Sequence, residues 1–517
     1  MKIAVIGAGP GGLAAAMLLA KRGFDVEIFE KEDKIGGRNS YIKKNGYTFD
    51  IGPTFFMMPF ILEEIFKETG RDLHNYVDMK LLDPYYQLLY TDGSNFRPSG
   101  NPNKVKDSIA KINKADVSGF DKYMSDNENK MNKSLPALQR PYHKLHHLLS
   151  SEVLNLLPLL RPWESLWSNL DNYFSDERIK LGFTFQSKYL GMSPYNCPSL
   201  FSILPYTEYK WGVYHVIGGL NKLAQAMAEV CQELDVEIHL NEEVKEINIK
   251  NKKAKGLKLK DGQNKNFDEI VLNADFTWAM QNLIPDKKRN KYTNNKLANK
   301  RYSCSTFMLY LGLDKIYDNL LHNNVFIAED YKKNFMEIED TKKLPDDPSF
   351  YVQNPSITDP TLAPKGHSTL YVLVPVANLK GEINWSKHKN SFRNIIIDKL
   401  KSRANMSDIE DHIKYEKIIT PLNWQNEMNV GFGATFNLGH NLNQMLYFRP
   451  HNKFQEFDNM WIVGGGTNPG SGLPTIYESG RITADLLADK YNLKYNRANV
   501  EKSVFPFEKY DAYSKNI

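Results

Sequence analysis

The chain contains few cysteines and no long uninterrupted apolar run. Its 517 residues include three cysteines, Cys197, Cys231 and Cys304, which stand far apart and form no C-x-x-C pair. This spacing argues against a disulfide framework or a zinc knuckle and fits a reducing cytosol. No apolar run reaches the roughly 18 residues that a transmembrane helix requires. The apolar N-terminus is interrupted by glycine and proline from Gly7 to Gly12, so we interpret it as a strand and a helix rather than a signal peptide.

The chain also has little net charge for its length. Lys and Arg number 66 and Asp and Glu 61, which gives +5. This bias is too small to indicate a nucleic-acid partner, although it allows a mild attraction to an anionic membrane surface. Apolar residues make up 41% and charged residues 25%, as in ordinary globular proteins. The length exceeds one typical domain and predicts two or three lobes.

The most informative stretch is the N-terminus. Residues 2–6 are apolar and rich in β-branched types, which predicts a buried parallel strand, and a glycine turn then leads into an Ala/Leu-rich helix that ends near Arg22. Gly7 permits a tight turn, Gly9 allows the backbone to approach a pyrophosphate, and Gly12 allows the helix to pack on the strand. The helix N-terminus offers free N–H groups to phosphates. The pattern predicts a dinucleotide site.

The continuation of the chain supports this site. A second strand is predicted at 25–29, and Glu30 follows it, 23 residues after Gly7. A carboxylate there accepts ribose hydroxyls and repels a 2′-phosphate, which argues against NADP. The pair Gly36-Gly37 and the guanidinium of Arg38 suit a second pyrophosphate contact. These residues alone leave NAD and FAD open.

Taken together, these motifs resemble a known family. The G-x-G-x-x-G turn, the glutamate, Gly-Gly-Arg and the run Phe49-Asp-x-Gly-Pro53 are similar to the flavin-containing amine oxidase superfamily, and specifically to its bacterial phytoene and 4,4′-diapophytoene desaturases. Residues 302–305, 358–364 and 447–452 resemble the same branch. The resemblance implies FAD as the cofactor, with Val244 holding the adenine through its backbone. The predicted cofactor-binding residues are Gly7, Gly9, Gly12, Glu30, Gly36, Gly37, Arg38, Val244, Gly465 and Gly466.

The resemblance implies an α/β fold with a Rossmann-like FAD-binding domain assembled from discontinuous segments, a substrate-binding α+β lobe and a helical, membrane-facing subregion. The predicted FAD-binding segments are 1–56, 207–290 and 455–492, and the predicted substrate-binding segments are 57–206 and 291–454, followed by a tail at 493–517. Residues 57–206 show long helical patterns without strand alternation. Sheet strands are predicted at 306–313 and 368–374.

A membrane contact is expected near residues 140–167. Residues 154–167 are apolar, are interrupted twice by proline, and carry Arg161 and Trp163. An interfacial anchor and a core helix fit this stretch equally well, and the resemblance favours the anchor, because a carotenoid partitions into lipid. His143, His146 and His147 are predicted to share one helix face. No acid or cysteine accompanies them at ligand spacing, so we expect no metal.

The resemblance implies an FAD-dependent carotenoid desaturase that acts on phytoene or 4,4′-diapophytoene. A hydride leaves an allylic carbon for the flavin while a proton leaves the neighbouring carbon, and a membrane quinone or oxygen reoxidises the flavin. The expected location is the cytoplasmic side of a membrane, with peripheral attachment. Two alternatives remain at this point: an oxidase of carotenoid terminal methyl groups, and a non-catalytic flavin-binding or escort-type protein of the same fold.

The sequence does not identify the catalytic base. Asp50, Arg449 and His451 are candidates, but an acid in a turn usually caps backbone and an Arg-His pair usually orders a loop. Asn468 occupies the position where the family often carries histidine. Any role of that imidazole is therefore not transferred to this chain.

Overall fold

The computed structural model describes residues 1–161 and 163–500, so the predicted tail lies outside the described residues from position 501. The strands are β1 Lys2–Ile6, β2 Asp25–Phe29, β3 Tyr41–Lys44, β4 Tyr47–Asp50, β5 Met79–Leu81, β6 Gln87–Leu89, β7 Asn95–Phe96, β8 Tyr214–Val216, β9 Glu237–His239, β10 Val244–Lys250, β11 Lys253–Leu259, β12 Asn264–Asn266, β13 Glu269–Leu272, β14 Ser305–Leu313, β15 Asn323–Phe326, β16 Phe350–Gln353, β17 Ser368–Val376, β18 Ile413–Ile419 and β19 Met460–Ile462. The α-helices are α1 Pro10–Lys21, α2 Phe60–Glu68, α3 Pro102–Ile112, α4 Val117–Leu138, α5 Ser151–Leu160, α6 Leu166–Leu170, α7 Glu177–Gly182, α8 Ile203–Trp211, α9 Asn221–Glu233, α10 Phe276–Leu283, α11 Asn294–Ala298, α12 Tyr331–Glu339, α13 Trp385–Arg403, α14 Ile409–His412, α15 Pro421–Asn426 and α16 Leu473–Lys490.

A parallel five-stranded sheet has the order β19-β13-β1-β2-β9. The central strand is β1, where Val5 pairs with Ile28 of β2 and Val271 of β13. Four of its five residues are buried, which explains its continuous apolar sequence. The strands predicted at 2–6 and 25–29 are confirmed with their bounds.

The carboxyl ends of three neighbouring strands meet at one edge of this sheet. Gly7 follows β1, Asn273 follows β13 and Val463 follows β19, and the backbone bond from Asn273 N to Ile6 O measures 2.9 Å. The sheet changes its direction of growth between β1 and β13, and open α/β sheets bind ligands at such a switch point. Helix α1 covers this part of the sheet and packs against α9 and α16. The topology therefore places a ligand site beside the glycine turn.

A second sheet has seven strands in the order β18-β14-β17-β16-β15-β6-β7. Its pairs are antiparallel except β15 with β6. On β14, Phe307 and Leu309 pack in a cluster with Trp385 of α13, while Met308 points to the opposite face. The strands predicted at 306–313 and 368–374 are confirmed and are one to two residues longer than expected.

The prediction that residues 57–206 lack strands is wrong. The segment contains β5, β6 and β7, and β6 and β7 form one edge of the seven-stranded sheet. Strands of two or three residues are too short to show alternation, so the helical pattern around them dominated the sequence signal. Most of the segment is helical, from α2 to α8, and its helices pack around buried aromatic rings such as Tyr123 and Phe183.

The histidine stretch also differs from its prediction. Residues Leu145–Leu149 form a 3₁₀ turn, and His143 precedes it, so the three histidines do not share an α-helical face. A five-residue 3₁₀ segment has the tighter i→i+3 bonding, which changes the positions of the side chains. The rings nevertheless pack edge to face, with centroids 4.8 Å apart for His143 and His147. Within the described ranges, no helix is long and apolar enough to cross a bilayer.

Candidate active site

One continuous cavity, about 580 Å³ in volume, extends from the glycine turn after β1 to the inner face of the seven-stranded sheet. All but two of the predicted cofactor-binding residues line it, the exceptions being Gly12 and Gly36. One end is built from glycine turns and charged side chains, and the other from aromatic and aliphatic side chains. The cavity therefore joins a polar compartment to an apolar one.

The glycine turn leaves the N-terminus of α1 open to the cavity. Gly9 is the N-cap of α1, and no side chain caps the helix. The first N–H groups of an uncapped helix are free donors that favour an anion. Gly7 has φ +98°, which favours glycine. Gly12 lies behind the turn, where an added Cβ would stand 2.5 Å from Gly7 O, so its role is close packing of helix on strand.

Glu30 lines the cavity, as Val244 does. Its carboxylate accepts hydrogen bonds from Ala8 N at 2.8 Å and from Glu32 N at 3.1 Å. Burial raises the pKa of Glu30, and the two backbone donors act in the opposite direction. These bonds fix the carboxylate at the carboxyl end of β2, where it faces the space beside the first glycine turn.

Gly36, Gly37 and Arg38 form a second turn against the first one. Gly36 N donates to Ala8 O at 2.9 Å, and its φ of +104° together with an added Cβ at 2.7 Å from Asn39 O excludes a side chain there. Arg38 donates to Thr435 O at 2.6 Å and lies 3.4 Å from Asp275. Its side chain remains about one third exposed, so its guanidinium keeps donors for a phosphate.

A third glycine turn, residues 464–466, follows β19 and lines the same cavity. It is held by Arg449, which is completely buried and donates to Gly465 O at 2.6 Å, Thr467 O at 2.9 Å and Gln444 O at 3.2 Å. Burial lowers the pKa of Arg449 to about 9. Because its nitrogen atoms bond to backbone carbonyls and it does not line the cavity, Arg449 orders the loop and is not a base.

The other two candidates for the base also have structural contacts. Asp50 accepts from Leu220 N at 2.8 Å and Asn221 N at 2.9 Å, which caps the start of α9. His451 Nε2 lies 2.8 Å from Tyr447 O. Neither residue lines the cavity. The contacts of both residues therefore order the backbone.

Asn273 is a site residue that the sequence analysis did not identify. Its Nδ2 donates to Gly7 O at 2.9 Å and reaches Gly9 O at 3.3 Å, so it ties the end of β13 to the glycine turn. It also lines the cavity. Its only sequence signal is its position directly after a buried strand, where parallel strands deliver functional side chains.

The apolar end of the cavity is built from rings whose hydroxyl groups are hydrogen-bonded within the protein. The hydroxyl of Tyr371 donates to Gly52 O at 2.7 Å, that of Tyr351 to Asn323 Oδ1 at 2.6 Å, and that of Tyr189 to Glu208 at 2.9 Å. Phe55 packs against Tyr189 and Tyr351 with centroids 5.5 and 5.6 Å away. The wall therefore presents ring faces and suits a long hydrocarbon.

Among the described residues, one group holds three potential metal ligands within reach of one another: Glu27, Glu237 and His239. Lys2 Nζ lies 3.0 Å from Glu27 and neutralises it. The group lies on β2 and β9, away from the cavity lining. Its side chains form ion pairs with one another and with Lys2 at the edge of the sheet.

The residues of the polar end fit FAD. The uncapped helix N-terminus and Arg38 supply donors for a pyrophosphate, and Glu30 supplies an acceptor for ribose. The second compartment beside residues 464–466 gives room for a ring system next to the apolar wall. A cofactor with two nucleotide halves matches both compartments.

Comparison with known proteins agrees with this geometry. Residues 10–488 match the family described as flavin containing amine oxidoreductase. The chain is 48% identical to a 4,4′-diapophytoene desaturase (4,4′-diapolycopene-forming) of Methylomonas sp, over 95% of this chain and 96% of the relative. It is 36% identical to a 4,4′-diapophytoene desaturase (4,4′-diaponeurosporene-forming) of Staphylococcus haemolyticus, over 95% and 99%. A putrescine oxidase double mutant matches with a TM-score of 0.61 at 14% identity, covering 95% of this chain and 99% of that one, a likeness that concerns the fold alone.

Proposed function

Because the chain belongs to the flavin containing amine oxidoreductase family and, within it, to the carotenoid desaturases, we propose that it desaturates 4,4′-diapophytoene, with phytoene as the longer alternative substrate. It is an FAD-dependent oxidoreductase. The observation that carries the substrate proposal is the apolar, ring-walled compartment that continues directly from the cofactor compartment. A polyene offers only C–H groups and π faces, and that wall is complementary to both.

Bound FAD supplies the oxidant by accepting a hydride. The protein supplies position and a dry environment for the rest of the reaction. Tyr371, Tyr351 and Phe55 hold the chain of the substrate through ring faces, and their buried packing excludes water from the reacting carbons. Arg449 and Asn273 fix the two glycine turns against which the cofactor lies.

The test is conversion of a colourless precursor. Purified protein loaded with FAD is mixed with liposomes that contain either 4,4′-diapophytoene or phytoene, and extracts are analysed by chromatography with visible absorbance. We expect conjugated products from 4,4′-diapophytoene and slower conversion of phytoene. Oxygenated products that form only from an already conjugated polyene would instead support the terminal-methyl oxidase, and no product from any polyene would support a binding protein.

We propose that the enzyme attaches peripherally to the cytoplasmic face of a membrane and that a quinone or oxygen reoxidises the flavin. The support for membrane attachment is a cluster of exposed apolar side chains, here called the apolar rim, in and around the segment 145–163. Leu145, Leu149 and Trp163 are 64, 72 and 83% exposed, and Phe448, at 56%, lies on a turn that packs beside 145–149. Exposed leucines and an exposed tryptophan in one segment of the chain suit the interface of a bilayer.

Vesicle binding tests the apolar rim. Sedimentation with phosphatidylglycerol-containing liposomes is compared for the wild type and the double variant Leu149→Gln/Trp163→Gln. We expect the variant to remain mostly in the supernatant, because each lost apolar contact removes area that the bilayer would bury. Ile395→Gln, a change of a 38% exposed residue on α13, is the matched control and is expected to sediment like the wild type. Equal binding by all three proteins would refute the role of the apolar rim in membrane attachment.

A further inference from the structure

Lys188 is one of four lysines that line the cavity, and its amine lies against aromatic rings. It lies in the 3₁₀ segment Phe185–Leu190 and lines the cavity together with Phe185 and Tyr189. Its Nζ lies 4.9 Å from the ring centroid of Tyr331 and 5.4 Å from that of Phe335. Burying a lysine amine among apolar groups costs free energy, because the charged form loses its hydration.

In the described part of the chain, no carboxylate forms an ion pair with Lys188 Nζ and no acceptor forms a hydrogen bond with it. Two of the other three lysines that line the cavity have such partners: Lys31 Nζ pairs with Glu32 at 2.9 Å, and Lys34 Nζ donates to Tyr41 O at 2.7 Å. Burial lowers the pKa of Lys188 to about 7, and the nearby Cys304 opposes this shift. A large fraction of this side chain is therefore a neutral amine near pH 7.

The segment that carries Lys188 is linked to the third glycine turn through a chain of bonds. Gly191 O accepts from Cys304 N at 3.1 Å, and the neighbouring Ser303 Oγ accepts from Phe436 N at 3.1 Å. Phe436 O in turn accepts from Ser471 Oγ at 2.6 Å, and Ser471 Oγ also reaches Gly465 O at 3.4 Å. Lys188 thus belongs to the wall that connects the apolar compartment with the cofactor compartment.

Resting on the proposed function, we propose that the amine of Lys188 is the catalytic base that accepts the proton released in each desaturation. One allylic hydrogen leaves with its electron pair for the flavin, which is the oxidant. The neighbouring C–H bond then breaks, its electron pair forms the new C=C bond, and the proton bonds to Nζ. The resulting ammonium loses the proton to water between turnovers, so atoms and electrons balance.

An amine without a counter-ion suits this step. Loss of hydride leaves an allylic cation, which a neutral amine does not repel and whose neighbouring proton it can accept. A permanently charged side chain at the same place would raise the energy of that cation. The titratable groups around Lys188 are Cys304, Tyr331 and Tyr189, whose pKa values burial raises, so all three are neutral near pH 7.

Two more distant carboxyl groups titrate in the same pH range as Lys188, so their effect on the rate must be distinguished from that of the amine. Glu208 bonds to the hydroxyl of Tyr189, and Glu339 of α12 acts on Cys304; burial raises the pKa of each to about 7. A pH profile alone would not distinguish the three groups. The assignment therefore also needs a measurement on the amine itself.

The kinetic test compares Lys188→Met and Lys188→Arg with the wild type, at equal FAD content measured by absorbance. We expect both variants to desaturate about 100-fold more slowly, the size of a lost general base. The wild-type rate is expected to rise with pH around 7, because only the neutral amine accepts a proton, and this rise should vanish in Lys188→Met. Lys332→Met is the matched control: Lys332 is an exposed lysine whose Nζ lies 5.7 Å from the Tyr195 ring centroid, outside the cavity.

The second test needs no turnover. The apoprotein is acetylated with trace acetic anhydride at a series of pH values, and mass spectrometry follows the Lys188 peptide. We expect half-maximal labelling of Lys188 near pH 7. Labelling of Lys188 only above pH 9, or a wild-type rate profile retained in Lys188→Met, would overturn the proposal.

The two proposals fail differently. If the wild type converts no polyene, the proposed function is wrong whatever Lys188 does. If the wild type converts 4,4′-diapophytoene and Lys188→Met keeps its rate within threefold, only the assignment of the base is wrong.

Discussion

Gly12→Ala tests how tightly helix α1 must pack for the cofactor to bind. An added Cβ at position 12 would lie 2.5 Å from Gly7 O and 2.7 Å from Asn273 Nδ2. An ordinary contact between such atoms is about 3.4 Å, so the helix start and the turn must move apart by roughly 1 Å. That movement breaks the bond of 2.9 Å from Asn273 Nδ2 to Gly7 O.

The cost has two components. Overpacking of this kind costs about 1–3 kcal/mol of folding free energy. Moving the helix N-terminus also weakens a charge-assisted hydrogen bond to the pyrophosphate, worth about 1.5–3 kcal/mol. Because 1.4 kcal/mol is tenfold in affinity, we expect FAD to bind roughly 10- to 150-fold more weakly.

The assay titrates FAD into apoprotein and follows quenching of flavin fluorescence, with thermal melting as a parallel measure of stability. Gly23→Ala is the matched control at the other end of the same helix. Gly23 has φ +86° and no atom within 4 Å of an added Cβ, so the substitution costs about 1–2 kcal/mol of backbone strain without touching the site. We expect this control to melt earlier and to bind FAD normally. If Gly12→Ala binds FAD within threefold of the wild type, or if Gly23→Ala loses equal affinity, the packing argument is refuted.

Three further predictions concern buried polar groups. Arg449→Met leaves the carbonyls of Gly465 and Thr467 without their hydrogen-bond donor. We therefore expect FAD to bind at least tenfold more weakly in the same titration. Unchanged binding would contradict the role of Arg449. Lys188→Met should raise the melting temperature most at or below pH 7 and progressively less toward pH 10.5. The pKa of Lys188 in the folded state, about 7, lies below its value in the unfolded state, so the unfolded state binds more protons between these values and the stability of the wild type rises with pH. A gain in melting temperature that grows with pH would contradict this prediction. Cys197, Cys231 and Cys304 are buried thiols, and burial raises their pKa values. Ellman's reagent should therefore label them only after denaturation. Fast labelling of the native protein would show instead that they are accessible.

The sequence was most informative where local physics acts alone. The strand at 2–6, the turn at Gly7 and the helix that follows are set by apolar continuity, glycine conformation and helix propensity within about twenty residues, and their bounds agree with the structure. The turn between β3 and β4 is likewise a local feature, because Asn45 and Gly46 both adopt the positive φ that a two-residue hairpin requires.

The sequence was least informative where partners are distant along the chain. The short strands β6 and β7 form because β6 pairs with β15. The sequence of a strand of two or three residues does not indicate that distant partner. Asn273 carries no local sequence signal for its role, because its bond to Gly7 O spans 266 positions. The same holds for Arg449, whose five backbone acceptors come from separate loops.

By itself, the sequence predicted the glycine turn after β1, the carboxylate that follows β2 and, through its resemblance, the family and the flavin. The tertiary structure alone decided which side chains meet across the chain. Asp50 caps α9, Arg449 holds a glycine turn, and Lys188 lines the cavity without an ion-pair partner among the described residues. The physical reason is that glycine turns and strand patterns are local properties of the backbone. Burial and the loss of charged partners, which give Lys188 its chemistry, exist only after distant segments have packed together.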